Sequence, residues 1–247
     1  MKLSLLGSSD AFGSGGRLQT CFHVAHAEGA FLIDCGATAL IGLERQGLDP
    51  NGVSTIFVSH LHGDHFSGLI WWMLHAVHVA KREAPLTVVG PEGIAERYRV
   101  ATEALFPGSS QCTKPFPLTF RTYEERVPLS IGAVSVTPFE VSHPSGATPY
   151  ALRFAVDGKI VAFSGDTEWV EALVPLSQGA DLFICECFAF EREARFHLNW
   201  RTLEAQLPRL EARHVMLTHL GPEALAQQDR MRHPRVSIAQ DGLTRDI

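Results

Sequence analysis

Short apolar, β-branched runs separated by Gly- and Ser-rich turns open the chain. Leu3 to Leu6, Thr20 to Val24 and Phe31 to Asp34 read as strands, and Thr55 to Val58 as a further, buried one. From Ser67 to Lys81 the pattern lengthens. It is apolar, free of Pro and closes on Lys81-Arg82, which predicts a helix with a basic end suited to the helix dipole. Leu86 to Val89 predicts a strand and Gly93 to Leu105 a second helix. Phe116 to Phe120, Val134 to Glu140, Tyr150 to Val156 and Lys159 to Phe163 then predict strands, with Asp157-Gly158 as a hairpin turn. Glu168 to Leu176 reads as a helix, Asp181 to Cys185 as a strand, Trp200 to Leu207 as a helix and His214 to Thr218 as a strand. Val236 to Ile238 reads as a last strand before a polar tail. The predicted fold class is α/β, with two mixed sheets packed face to face and helices outside, in a single domain over residues 1–247. Each half ends a strand in metal-type residues, which hints at duplication, although too little identity joins the halves to define a repeat.

Composition leaves that picture intact. The 247 residues are 45% hydrophobic and 19% charged, enough apolar material for one large core. The net charge of −6 argues against a broad basic footprint for nucleic acid. Five cysteines without a framework spacing (Cys21, Cys35, Cys112, Cys185, Cys187) read as reduced thiols of a cytoplasmic protein. Cys185 and Cys187, flanking Glu186 in an apolar run, read as core rather than as zinc ligands. The apolar run at the N-terminus is too short for a signal peptide, and no stretch is long enough to span a membrane.

The chemistry is concentrated just after the fourth strand. Ser59-His60-Leu61-His62-Gly63-Asp64-His65 packs three histidines and an aspartate into a tight turn at a strand end. Imidazole and carboxylate are the usual N and O ligands of zinc and its neighbours. Three more candidates follow apolar strands in the same way: His143 in Val141-Ser142-His143-Pro144, Asp166 in Ser164-Gly165-Asp166-Thr167, and His219 after Val215 to Thr218. Asp166 taken alone is also an N-cap candidate for the helix after it. Together with the opening cluster these make seven ligands, enough for two metals sharing one carboxylate.

That ordered set resembles the metallo-β-lactamase superfamily, as do Phe31-Leu32-Ile33-Asp34-Cys35-Gly36 before the cluster and Leu217-Thr218-His219-Leu220 at its end. The resemblance covers nearly the whole chain and implies a four-layer αββα sandwich. It implies that His60, His62 and His143 bind a first metal, that Asp64, His65 and His219 bind a second, and that Asp166 bridges them. Asp34 would orient a ligand imidazole. The implied cofactors are two divalent ions, with zinc favoured and manganese or iron as alternatives.

The branch can be narrowed. His65 is commonly replaced in the β-lactamases of this fold, and the third histidine of glyoxalase II lies in a Gly-His-Thr setting that this chain lacks. His143 looks closer to ribonuclease Z and to related small-molecule phosphodiesterases, including cyclic phosphodiesterases. Those enzymes carry a further histidine that protonates the leaving group, and His197, in Phe196-His197-Leu198-Asn199-Trp200, matches it. Where ribonuclease Z-like enzymes usually continue Ser-Thr, this chain has Leu198-Asn199. The long arm of the transfer-RNA-processing enzymes, between the third histidine and the bridging aspartate, is absent.

The expected activity is therefore hydrolysis of a small or cyclic phosphodiester through a metal-bridging hydroxide, with Asp64 and His197 as catalytic residues. Competing expectations are an ester, thioester or lactone hydrolase, a transfer RNA 3′-processing nuclease and a non-catalytic metal-binding protein. The expected partner is a small-molecule substrate; nucleic acid is disfavoured, no membrane is expected, and a homodimer accords with the resemblance. His75 and His78 on the helix after the cluster read as packing or surface residues, and Trp71 or Trp72 as a candidate pocket wall. The Gly7 to Gly16 stretch lacks the Lys-Ser/Thr ending of a phosphate loop and reads as a flexible loop at the cleft edge.

Overall fold

In the computed structural model, which describes all 247 residues, the first half runs β1 (Lys2–Gly7), β2 (Cys21–His26), β3 (Gly29–Ile33), α1 (Ala39–Arg45), β4 (Val53–Phe57), α2 (Gly63–Phe66), α3 (Gly68–His78), β5 (Leu86–Gly90), α4 (Ile94–Leu105) and β6 (Leu118–Thr122). The second half runs β7 (Leu129–Ile131), β8 (Val134–Glu140), β9 (Tyr150–Val156), β10 (Lys159–Phe163), α5 (Leu173–Ser177), β11 (Leu182–Glu186), α6 (Trp200–Gln206), β12 (Val215–Thr218), α7 (Pro222–Ala226), β13 (Val236–Ile238) and β14 (Thr244–Asp246).

The strands form two seven-stranded sheets, ordered β14-β1-β2-β3-β4-β5-β6 and β13-β12-β11-β10-β9-β8-β7. Each sheet is mixed in the same sense. From β14 to β3 and from β7 to β10 the pairing is antiparallel; from β3 to β6 and from β10 to β13 it is parallel. The two sheets thus share one plan of pairing.

Alternation along the strands sends one set of side chains to the partner sheet and the other to the helices. Between the sheets lies a core drawn from both, including Leu3, Phe22, Phe31 and Phe57 from one and Phe154, Val161 and Phe163 from the other. Phe154 is its hinge point, with ring centroids 5.3 Å from Phe31 and 5.1 Å from Phe57. The outer face of the first sheet packs under α1, α3 and α4 through Leu43, Leu69, Trp72, Met73 and Ile94. That of the second packs under α5 and α6 through Leu173, Leu176, Trp200 and Leu203. This is the expected αββα sandwich.

Several details depart from the sequence reading. The helix expected over Glu168–Leu176 is only the short α5; residues before it turn without helical bonding, and Asp166 caps nothing. The polar tail contains β14, whose residues pair with Lys2 to Ser4, and β7 escapes the hydrophobic pattern because it is three residues long and half-exposed. The short helices α1, α2 and α7 carry too few turns to show a periodicity. No helix is long and apolar enough to cross a membrane.

Truncation of Phe154 to Ala should cost about 3–5 kcal/mol by loss of burial and the cavity left between the sheets. Urea denaturation should show a lower midpoint at unchanged slope.

Candidate metal centre

All the candidate ligands lie at one edge of the sandwich, where strands of both sheets end. β3 delivers Asp34, β4 delivers the His60 to His65 turn, and β8, β10 and β12 deliver His143, Asp166 and His219. Backbone bonds stitch the two sheets together there. Tyr150 N donates to Ser59 O across the sandwich, and His219 N donates to Ser8 O. His219 and Asp34 both adopt left-handed backbone conformations (φ 59° and 57°), a strain the surrounding bonds hold in place. Close approach matters as well. A Cβ on Gly68 would meet the carbonyl oxygen of Gly36 at 2.0 Å, so only glycine lets α3 start against the loop after β3.

The ligand atoms fall into two groups, each gathered within 4.8 Å: His60, His62 and His143 in one, and Asp64, His65, Asp166 and His219 in the other. Asp166 stands between them. Its Oδ2 is 3.8 Å from both His60 Nε2 and His143 Nε2 and 3.3 Å from His219 Nε2, while its Oδ1 is 3.2 Å from His65 Nε2. Asp64 Oδ2 lies 3.2 Å from both His65 Nε2 and His219 Nε2. Every position singled out in the sequence as a ligand is thus brought to one point.

This donor set fits divalent cations. His60 Nε2, His65 Nε2 and Asp166 Oδ1 are buried without a hydrogen-bond partner, each at a desolvation cost of about 1–3 kcal/mol in the absence of an ion. The ion pairs of Asp34, Asp64 and Asp166 are all with imidazoles, with no Lys or Arg among them. Buried anions need cationic partners. In the bare protein the imidazoles divide accordingly. Burial pushes His60, His62 and His143 below the ordinary histidine range. Burial also opposes charge on His65 and His219, but the carboxylates outweigh it; His65 is held well above its ordinary value and His219 at about 9. Asp64 and Asp166 resist protonation despite burial, because His65 and His219 surround them. Metal binding at these sites must therefore release protons and strengthen with rising pH.

The groups behind the ligands are equally ordered. Asp34, fully buried, accepts from Ser59 N at 2.7 Å, from Ser59 Oγ at 2.8 Å and from His65 Nδ1 at 2.6 Å. Ser59 Oγ in turn lies 3.0 Å from His60 Nδ1. One carboxylate thereby fixes an imidazole in each group, directly for His65 and through Ser59 for His60, and leaves both Nε2 atoms facing inward. The sequence pointed to Asp34 but not to the Ser59 relay. His143 Nδ1 donates to the carbonyl of Phe196 at 3.0 Å.

His197 stands beside the cluster, its ring 4.8 Å from that of His143 and stacked at 5.5 Å on that of His219. Its Nδ1 is 3.0 Å from Glu186 Oε1. Glu186 is fully buried on β11 and also accepts from Thr167 N and Leu198 N. Burial disfavours the imidazolium, but Glu186 more than compensates, and His197 is raised above its ordinary value. Sequence reasoning passed over Glu186; the signal was a lone carboxylate inside a wholly apolar strand, a position that demands a partner. Its flanking thiols, Cys185 and Cys187, are buried and pushed up by burial, as core residues should be.

The cluster floors a cleft of about 360 Å³ whose walls include Ala11, Phe12, Phe188 and His197. Trp71 and Trp72 are not among them: Trp72 is buried under the first sheet and Trp71 packs edge-on to Phe106. His75 lines a separate surface groove with Leu40 and Ile41.

A family model described as "Anti-Pycsar protein Apyc1" matches residues 1–242. Among individual sequences, an uncharacterized protein of Mycobacterium leprae is 29% identical over 198 residues, covering 77% of this chain and 67% of the relative. Ribonuclease BN of Salmonella paratyphi B is 27% identical over an alignment of 305 positions, covering 98% of each. Among solved structures, the metallo-β-lactamase fold protein YhfI of Bacillus subtilis superposes with a TM-score of 0.79 at 20% identity over 99% of both chains. The short form of human tRNase Z gives 0.78 at 21% over 100% of this chain and 99% of its own. A diphosphatase of the PhnP family gives 0.80 at 17%, covering 100% and 97%. At these identities the structures establish a shared fold.

Replacement of Asp34 by Asn should lower metal affinity roughly 10–100-fold, read by competition with a chelator, while the far-ultraviolet circular dichroism stays unchanged. Replacement of Asp166 by Ala should abolish occupancy at both groups; elemental analysis finding two ions per chain in that variant would refute its bridging position.

Proposed function

This chain belongs to the Apyc1 family of anti-Pycsar proteins and has the metallo-β-lactamase fold, and from that premise we propose that it is a phosphodiesterase using two divalent metal ions on a small or cyclic phosphodiester. His60, His62 and His143 would hold one ion, and Asp64, His65 and His219 the other, with Asp166 shared. When bound, such ions supply charge for the phosphoryl oxygens and a water nucleophile reactive at neutral pH. Asp64, at the floor of the cleft, would also accept a hydrogen bond from the attacking water.

The observation that carries this reading is the His197–Glu186 pair. Expulsion of an alkoxide needs a proton, whereas a thiolate leaves without one. With Nδ1 engaged by Glu186, the other ring nitrogen of His197 is free to donate, and the carboxylate raises the pKa of the ring above its ordinary value. His197 would thus act as the general acid, recharged from solvent through its partly exposed edge.

An RNA substrate has a relative in its favour, ribonuclease BN. The path from His143 to Asp166 argues against it. That path is the β9–β10 hairpin, paired through to Val156 and Lys159 and closed by Asp157 and Gly158, with no arm to grip a folded RNA. The alignment of 305 positions against 247 residues also requires gaps in this chain. Phosphate contacts dominate nucleic-acid affinity, and a chain of net charge −6 offers few.

Metal-reconstituted protein should turn over bis(p-nitrophenyl) phosphate and cyclic phosphodiesters faster than thioesters or lactones; the reverse order would overturn the reading. On cyclic phosphodiesters, which expel an alkoxide, His197→Ala should lower turnover by roughly 10²–10⁴-fold with metal content intact, and on bis(p-nitrophenyl) phosphate far less. The pH profile supplies a second check. The acid must be protonated, so turnover falls as pH rises through the raised pKa of His197. Glu186→Gln removes the main cause of that elevation, and the alkaline limb should shift to lower pH.

A further inference from the structure

We propose that Asp241 is a positioning residue for the His219 imidazole, acting through the Ser8 peptide to hold the backbone from which that imidazole is aimed. The proposal rests on the reading of His219 as a metal ligand and not on which bond is hydrolysed.

His219 differs from its neighbours in how it is held. His60 Nδ1 lies against Ser59 Oγ, His65 Nδ1 against Asp34 and His143 Nδ1 against the Phe196 carbonyl. His219 Nε2 faces Asp64 and Asp166, but its Nδ1 is buried and no protein group bonds it. A ligating imidazole ordinarily owes its orientation to a bond at its other nitrogen. Here the ring has packing instead, stacked on His197 at 5.5 Å with Phe188 at 6.3 Å. What remains to set its direction is the backbone. That backbone is left-handed, with φ 59°, a conformation disfavoured for any residue with a Cβ. Its N donates to Ser8 O at 3.1 Å, and Thr218 Oγ1 donates to the same oxygen at 3.3 Å. The end of β12 thus hangs on the Ser8 carbonyl.

Ser8, fully buried, is fixed in turn by Asp241. Oδ1 of Asp241 accepts from Ser8 N at 2.9 Å and from Ser8 Oγ at 2.8 Å, and Oδ2 accepts from Leu18 N at 2.6 Å. A carboxylate accepts on both oxygens, whereas an amide in its place would turn an N–H toward one of these donors. Asp241 reaches this point because the chain crosses between the sheets there. Ala239 N donates to Leu217 O at 2.7 Å beside β12, and Gly242 N donates to Leu5 O at 2.9 Å beside β1. Arg17 Nη1 secures the same segment by donating to Ala239 O at 3.0 Å.

A second carboxylate serves the same loop without touching this tie. Asp10 accepts from Ser9 Oγ, Phe12 N, Ser14 N and Ser14 Oγ, all within the loop itself. The stretch that composition suggested would be flexible is therefore ordered at its base and at its tip. The two tasks are separable: Asp10 orders the loop, and Asp241 orders the ligand.

The test is zinc binding to the full chain after removal of its metal, read by competition with a chelator, together with the visible spectrum of the cobalt(II) form. Asp241→Asn should weaken, on the order of tenfold, the ion that is lost in His219→Ala, and should shift the absorption of cobalt at that position. The other ion should be little changed. Ser8→Ala deletes one of the three bonds to Asp241. It should weaken the same ion by a smaller factor, and it carries the test should Asp241→Asn not fold. Ser14→Ala deletes a comparable bond to Asp10 and should leave zinc affinity unchanged. Wild-type affinity in both Asp241→Asn and Ser8→Ala would overturn the role. So would equal weakening of both ions, or an equal effect of Ser14→Ala, since either would reduce Asp241 to ordering the loop. If His219→Ala loses no ion, the ligand reading itself fails and the proposal with it, a result distinct from the others.

Discussion

The constraint on which this structure turns is the burial of three carboxylates among imidazoles with no lysine or arginine to neutralise them. Asp34, Asp64 and Asp166 are each no more than 7% exposed. Buried anions of this kind persist only with a cationic partner, and here that partner is either protons on His65 and His219 or metal ions in their place. The strained backbone at Asp34 and His219, the glycine contact at Gly68 and the backbone bonds between the sheets all serve to hold these charges together.

The sandwich supplies that arrangement economically. Parallel strands in neighbouring positions end at the same edge, so loops after β3 and β4 in one sheet, and after β10, β11 and β12 in the other, converge without long excursions. Stability and chemistry are kept apart. The aromatic layer of Phe31, Phe57 and Phe154 fills the space between the sheets. The clustered imidazoles and carboxylates occupy the rim, where they line a cleft. Glu186 is the exception: it lies in the wall of the core, and its burial is compensated by His197 and two backbone donors.

Within the rim, the residues divide by task. Three of the clustered imidazoles are held from behind: His65 by Asp34, His60 by Ser59 and His143 by the Phe196 carbonyl. His197 is set apart from them by its tie to Glu186, which both holds its Nδ1 and raises its pKa. The loop after β1 is locked by Asp10 and Asp241. The site is thus assembled from β1 through β12 and tied shut by the last residues of the chain.

The sequence by itself determined the strand-end ligands, because imidazoles and carboxylates at that spacing after apolar runs have few other uses, and the ordered set from His60 to His219 carried the fold with it. It also determined the long α3 and α4 and the Asp157-Gly158 hairpin, which local periodicity and turn chemistry specify. The tertiary structure alone decided what local pattern cannot encode. Asp166 could equally have capped a helix; only the meeting of β10 with the His65 turn placed it between the two groups of imidazoles. β14 lies in a polar tail and becomes a strand because β1 offers it a free edge. Glu186 and Ser59 meet their partners 11 and 25 residues away. A hydrogen-bond partner at that separation is a property of packing, and packing is fixed only when both sheets are in place.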